Sequence, residues 1–261
     1  VLSYTEYHSG NRDIEVRHIG LDNSVANPGI ANTDSSGDAF GSHMADLGNG
    51  TYVVSWAYSI DHPSIAPSGG YAQVIAHDGT FVGSRFPVTP ELANTRLIDV
   101  AVTDGTIVSA YLDGAGYPSD VYLGGTQSGS SERSQSILLG TADTSMKVVS
   151  IDQGVLVTWS EGRPDVGDGS TIVYAQKFGL ESGSLVPLAD KVVLLEDQPG
   201  VFGISAVSPV VVDGVETGYA VSWIEGADQS QGTTIAATFD VDLNVISSQE
   251  AIAVPSGTSW G

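Results

Sequence analysis

Five times along this chain the same short word recurs: apolar or β-branched residues, a Ser or Thr, then an aromatic. It reads Tyr52-Val53-Val54-Ser55-Trp56, Val155-Leu156-Val157-Thr158-Trp159 and Tyr219-Ala220-Val221-Ser222-Trp223. Ile107-Val108-Ser109-Ala110-Tyr111 is a looser copy, and the chain opens inside another, Val1-Leu2-Ser3-Tyr4. The aromatics stand at 4, 56, 111, 159 and 223, at intervals of 52, 55, 48 and 64 residues. Such a period is too long for one hairpin and suits one four-stranded sheet per repeat.

The residues around each word fill in that sheet. An apolar run precedes it, as in Leu97 to Val102, Met146 to Ile151 and Ile204 to Val207. A strand, a polar turn and a further strand follow it, best seen from Gly70 through Asp78-Gly79 to Val82. Asp-Gly between apolar runs is a strong hairpin signal. Gly and Pro punctuate the chain every 10 to 15 residues or so, and no long stretch has a period near 3.6, which argues against helices. The words themselves are nearly continuous apolar runs, as expected of strands covered on both faces.

The chain is therefore expected to be all-β, a β-propeller of about five four-stranded antiparallel blades. It would form a single domain over 1–261, with blades at roughly 1–33, 34–92, 93–141, 142–197 and 198–261. An incomplete six- or seven-bladed ring and a β-sandwich are the alternatives. The chain starts in the second strand of its first blade and ends with a fourth strand, Ser248 to Val254. Residues 256–261 are too few for the missing first strand, which another segment would then supply.

Charge narrows the partners. The 261 residues carry 31 Asp and Glu against 9 Lys and Arg, a formal net charge of −22. Such a surface repels nucleic acid and anionic lipid, so neither is an expected partner. It suits a saline medium and attracts divalent cations, calcium first. Cysteine is absent, which removes disulfides, thiolate catalysis and cysteine-ligated zinc. There is no run of 18 apolar residues, so no membrane insertion is expected.

Two copies carry a sharper pattern. Gly50-Thr51-Tyr52-Val53-Val54-Ser55-Trp56 leads to Tyr71-Ala72-Gln73, and Trp159 leads to Tyr174-Ala175-Gln176-Lys177-Phe178. These segments resemble the Gly-x-x-Val-Val-x-Trp and Tyr-Ala-Gln-x-Phe repeats of large exported bacterial proteins that also carry hemolysin-type calcium repeats or cadherin-like modules. The resemblance implies an extracellular or cell-surface setting and an adhesive or scaffold role. It implies no activity. The calcium-binding nonapeptide itself is absent.

Four acidic residues stand two positions after the repeat aromatic: Glu6, Asp113, Glu161 and Glu225. Equivalent positions converge in a propeller, so these four are the candidate ligand-binding residues, for a cation or for sugar hydroxyls. The alternative is a polar strand end serving the turn that follows. Asp113 with Asp120, and Asp165 with Asp168, bracket acidic loops that are candidate calcium sites; Asp34 and Asp38 form a similar loop. Asp240-Val241-Asp242-Leu243-Asn244 begins like a calcium loop but lacks the glycine and glutamate that complete one, and it aligns with a hairpin turn. The histidines 8, 18, 43, 62 and 77 form no metal-ligand spacing. Tyr58, Tyr117 and Trp260 fall near expected loops, where an aromatic face stacks on sugar.

The primary functional reading is a non-catalytic binding or scaffold module, with a glycan, a peptide or a neighbouring domain or chain as partner. The alternative is a five-bladed glycoside hydrolase acting through paired carboxylates. No two or three carboxylates stand apart from the repeat, so no catalytic residue is assigned.

Overall fold

The computed structural model describes residues 2–8, 11–17, 29–30, 39–58, 69–90, 95–114, 119–128, 130, 136–142, 145–162, 170–199, 201–225, 233–247 and 250–252. All regular structure among them is strand, and no helix occurs. The chain forms two compact units, one from Val1–Gly140 with Leu180–Leu185 and the other from Thr141–Gly179 with Val186–Gly261.

Three sheets lie in the first unit. The first joins β1 (Leu2–His8), β2 (Asn11–Arg17) and β3 (Gly29–Ile30). The second joins β4 (Ala39–Gly48), β5 (Thr51–Tyr58), β6 (Gly70–Ala76) and β7 (Phe81–Pro87). The third joins β8 (Thr95–Thr103), β9 (Thr106–Asp113), β10 (Ser119–Gln127) and β11 (Ile137–Ala142). In each, a strand pairs with its chain neighbours, so the sheets are antiparallel meanders.

Two sheets build the second unit. One joins β12 (Met146–Ile151), β13 (Gly154–Gly162), β14 (Ser170–Glu181) and β15 (Ser184–Pro187), and the tip of its β14–β15 hairpin is the 180–185 segment of the first unit. Its β14 is long enough to pair also with β16 (Val192–Pro199), so the outer edge is two successive strands where a single one was expected. The last sheet joins β17 (Val201–Val212), β18 (Val215–Glu225), β19 (Thr233–Asp240) and β20 (Glu250–Ile252).

The recurrent word is one strand in each sheet: β1, β5, β9, β13 and β18. Strand β5 shows why its residues are apolar in succession. Val54 and Trp56 join Ile14, Val16 and Ile75 in the core between the first and second sheets. Val53 and Ala57, on the opposite face, join Val100, Ile107 and Tyr111 in the core between the second and third. In the second unit Leu156, Val173 and Ala175 of one sheet meet Tyr219, Val221 and Trp223 of the next. Trp56, Trp159 and Trp223 are fully buried. Each such ring contributes about 2–3 kcal/mol of transfer free energy.

The Tyr-Ala-Gln segment is likewise structural. Tyr174 stacks on Trp159 at 5.5 Å between ring centroids, and the matching pair Tyr122 and Tyr111 stacks at the same 5.5 Å. Ala72 and Ala175 are fully buried. Gln73 Nε2 donates to the carbonyls of Val82 and Gly83 at 3.0 and 3.1 Å, and Gln176 Nε2 to Ala189 O at 2.9 Å. The Gln thus ties the third strand to the segment that follows. Two-residue turns Asp104-Gly105 and Asp213-Gly214 close hairpins with positive φ at both positions (48° and 72°, 53° and 78°), the geometry that follows strand twist.

Candidate functional site

The recurrent acidic position is a strand end. Glu6 lies in β1 opposite Asp13 of β2. In the second sheet the position is Tyr58, and its side chain is buried at 8% exposure. Arg85 Nη1 donates to the Tyr58 hydroxyl at 3.0 Å, and its guanidinium lies 5.2 Å from the Tyr71 ring centroid. Tyr71 meets Tyr58 edge-on at 5.5 Å. Buried, with its hydroxyl held by Arg85 and its ring edge-on to Tyr71, Tyr58 offers no open platform for a sugar.

The third sheet sets two carboxylates against each other. Asp113 at the end of β9 is the direct cross-strand partner of Asp120 in β10, and Tyr122 follows on the same face. Cross-strand neighbours stand about 4.5–5.5 Å apart at Cβ, where like charges repel. The environment of Tyr122 registers this: burial raises its phenol above the ordinary tyrosine range, and Asp120 and then Asp113 add to the shift. Asp120 is exposed and Asp113 half-buried. Two carboxylates fall short of the six to eight oxygens that calcium takes. No group of three or more His, Asp or Glu side chains able to hold a metal occurs among the described residues.

In the second unit, Glu161 at the end of β13 accepts a hydrogen bond from Thr141 Oγ1 at 2.8 Å. Glu225 ends β18, half-buried, between Val201 and Thr233 in register. Asp165 and Asp168 lie outside the described residues, as do Asp34, Asp38, Tyr117 and Trp260. Asp240 is a turn residue. Its Oδ1 accepts the backbone N–H of Asp242 at 2.9 Å and of Asn244 at 2.8 Å, and Asn244 Nδ2 donates to Oδ2 at 2.9 Å. Those bonds, Asn244's first, hold its carboxyl below the usual aspartate range. The calcium-loop opening is thus closed on itself by its own backbone. Of the five histidines, His43 pairs through Nδ1 with Asp99 Oδ1 at 3.1 Å.

Sequence reasoning missed a concavity of the second unit. A groove of about 340 Å³ opens where the turns of its two sheets lie together, lined by Asp152, Lys177, Glu216, Tyr219, Val241 and Asp242, with Ile151 and Leu188 as apolar walls. Tyr219 donates to Glu216 Oε1 at 2.6 Å, and Glu216 Oε2 accepts from the Asp152 backbone N–H at 3.0 Å. Lys177 Nζ bonds the Val241 carbonyl and lies 4.9 Å from the Tyr219 ring centroid. Burial, then the bond to and charge of Glu216, with Asp152 and Asp242 beyond, push the Tyr219 phenol far above its ordinary range. One sequence signal does point here: Gly214 precedes Trp223 by nine positions, whereas Gly50 precedes Trp56, and Gly105 precedes Tyr111, by six.

No family model matches this chain, and no curated protein matches it. Among solved structures, an alpha-L-arabinofuranosidase from Lactobacillus brevis is similar over 93% of this chain and 92% of its own, at 13% identity and a TM-score of 0.49.

Proposed function

We propose that this chain is a non-catalytic binding or scaffold module of a larger secreted or cell-surface bacterial protein, built as a β-propeller of about five blades. What carries the reading is the use made of the repeat. Its tryptophans are core, its Tyr stacks on the aromatic, its Ala is packed and its Gln ties strand to strand. The recurring residues thus hold sheets together, and ligand chemistry falls to strand ends and turns, which differ between copies. Glu6, Asp113, Glu161 and Glu225 are the proposed contacts to a glycan or a peptide. Calcium is the proposed ion at Asp113 and Asp120, where a cation would relieve the repulsion between facing carboxylates.

The test is a glycan and peptide array probed with and without calcium, alongside reducing-end release from plant and marine polysaccharides. Retention on the array that weakens in Asp113→Asn or Glu161→Gln, with no sugar released, is the expected result. Release of reducing ends that disappears in Glu161→Gln would replace this reading with the glycoside hydrolase.

A further inference from the structure

The turn end of the second unit has features that the repeat does not require. The β17–β18 hairpin runs three residues beyond its counterparts in the second and third sheets, and its tip is apolar: Val211, Val212 and Val215 are 57%, 53% and 60% exposed. The turn after β19 continues this character, with Val245 and Ile246 more than 60% exposed. Large apolar side chains clustered on a protruding hairpin mark an interaction surface. Beside them lies the 340 Å³ groove, whose lining holds three carboxylates, Asp152, Glu216 and Asp242, against one ammonium. That ammonium, Lys177, is committed to the Val241 carbonyl and the Tyr219 ring.

We propose that this end docks a basic polypeptide segment of a partner protein. The segment places a Lys or Arg side chain in the groove and apolar side chains on the valine hairpin. Charge complementarity selects this occupant. The groove presents Asp152 and Asp242 to an incoming cation, and Ile151, Leu188 and Val241 give its methylene stem an apolar wall. A second copy of a chain carrying −22 charges would be repelled. A sugar finds no open aromatic face, because Tyr219 is 1% exposed and Lys177 lies over its ring. The site is at the opposite end of the strands from Glu161 and Glu225, so it stands whether or not those residues bind a ligand.

The probe is a capped peptide of alternating Lys and Leu, titrated into the isotope-labelled chain and followed by amide NMR. A matched peptide with Gln for Lys serves as control. Shifts should centre on Asp152, Val211, Val215, Val241 and Asp242, and the Gln peptide should produce none. The pair Asp152→Asn with Asp242→Asn should weaken binding about tenfold. The pair Asp46→Asn with Asp104→Asn removes the same charge from the end of β4 and a turn of the first unit and should change binding less than about twofold. Val211→Ser, on the Glu216 face of the hairpin, should weaken binding with the charge untouched. Equal loss in the two Asn pairs, or shifts scattered over both units, would mean attraction by net charge alone and overturns the proposal. Shifts at the groove from a neutral oligosaccharide but not from the peptide overturn it equally.

Discussion

Replacing Gly218 with alanine isolates a single contact. A Cβ built on Gly218 would lie 2.0 Å from the carbonyl oxygen of Phe239 on the neighbouring strand, and ordinary contact begins near 3.4 Å. The β18–β19 ladder must open by about 1.4 Å at the Tyr219–Phe239 step to admit one methyl group. Overpacking of this kind costs about 1–3 kcal/mol. Weakening one or two ladder hydrogen bonds adds about 1 kcal/mol. A loss near 3 kcal/mol corresponds to about 6–12 °C in melting temperature for a chain of this size. Two further alanines separate the causes. Gly214→Ala meets nothing within 4 Å but sits at φ +78°, so it reports backbone strain alone, about 1 kcal/mol. Gly154→Ala combines φ +151° with a 1.9 Å approach to Phe178 O and should exceed both. Differential scanning calorimetry reads all three. A Gly218→Ala protein melting within about 2 °C of the parent would refute the close-approach argument.

The Tyr219→Phe protein should lose about 1 kcal/mol by giving up its bond to Glu216, measured in urea unfolding; unchanged stability counts against that bond. Because the Tyr219 phenol is raised, its contribution is complete below about pH 10 and declines as pH climbs through the folded value. Alkaline ultraviolet titration should therefore show Tyr219 among the last tyrosines to ionise, after the ordinary ones, and Tyr219→Phe should diminish that late step. Asp240 has the opposite sign: its carboxyl is lowered, so its contribution is present above about pH 4 and disappears as pH falls through the folded value. Carbon NMR of the carboxyl should give a midpoint below the usual aspartate value, and a midpoint at or above it disproves the turn bonding. Millimolar calcium should raise the melting temperature by several degrees over excess chelator, and Asp120→Asn should abolish the rise; equal midpoints would rule the ion out.

The strand word was readable because burial on both faces leaves a short run of apolar, β-branched and aromatic residues bounded by turn signals, as β5 and β13 show. Met146 to Ile151 was legible for the same reason and became β12. What escaped reading depends on partners distant in the chain. The split edge of β15 and β16 arises from the length of β14, which carries no mark in the residues of the edge itself. Tyr58 looked like a loop aromatic because Arg85, 27 positions on, gives no local sign that it will occupy the hydroxyl. The facing of Asp113 and Asp120 was half legible: their nearness was expected from the turn between them, but direct register is a property of the paired strands. The groove was invisible because Lys177, Glu216 and Asp242 come from three separate strands and turns.

Gly154 and Gly218 hold one and the same place, five residues ahead of a tryptophan, and at that place β5 and β9 carry Thr51 and Thr106. The sibling strands are consequently not interchangeable, and the asymmetry has a direction. A threonine-bearing strand that strayed onto β14 or β19 during synthesis would drive its side chain into a carbonyl, whereas a glycine-bearing strand would slip beside β6 or β10 unopposed. Grafting one copy over another should succeed only one way round. A chain made of near-duplicates thus bars one direction of strand exchange and leaves the reverse open.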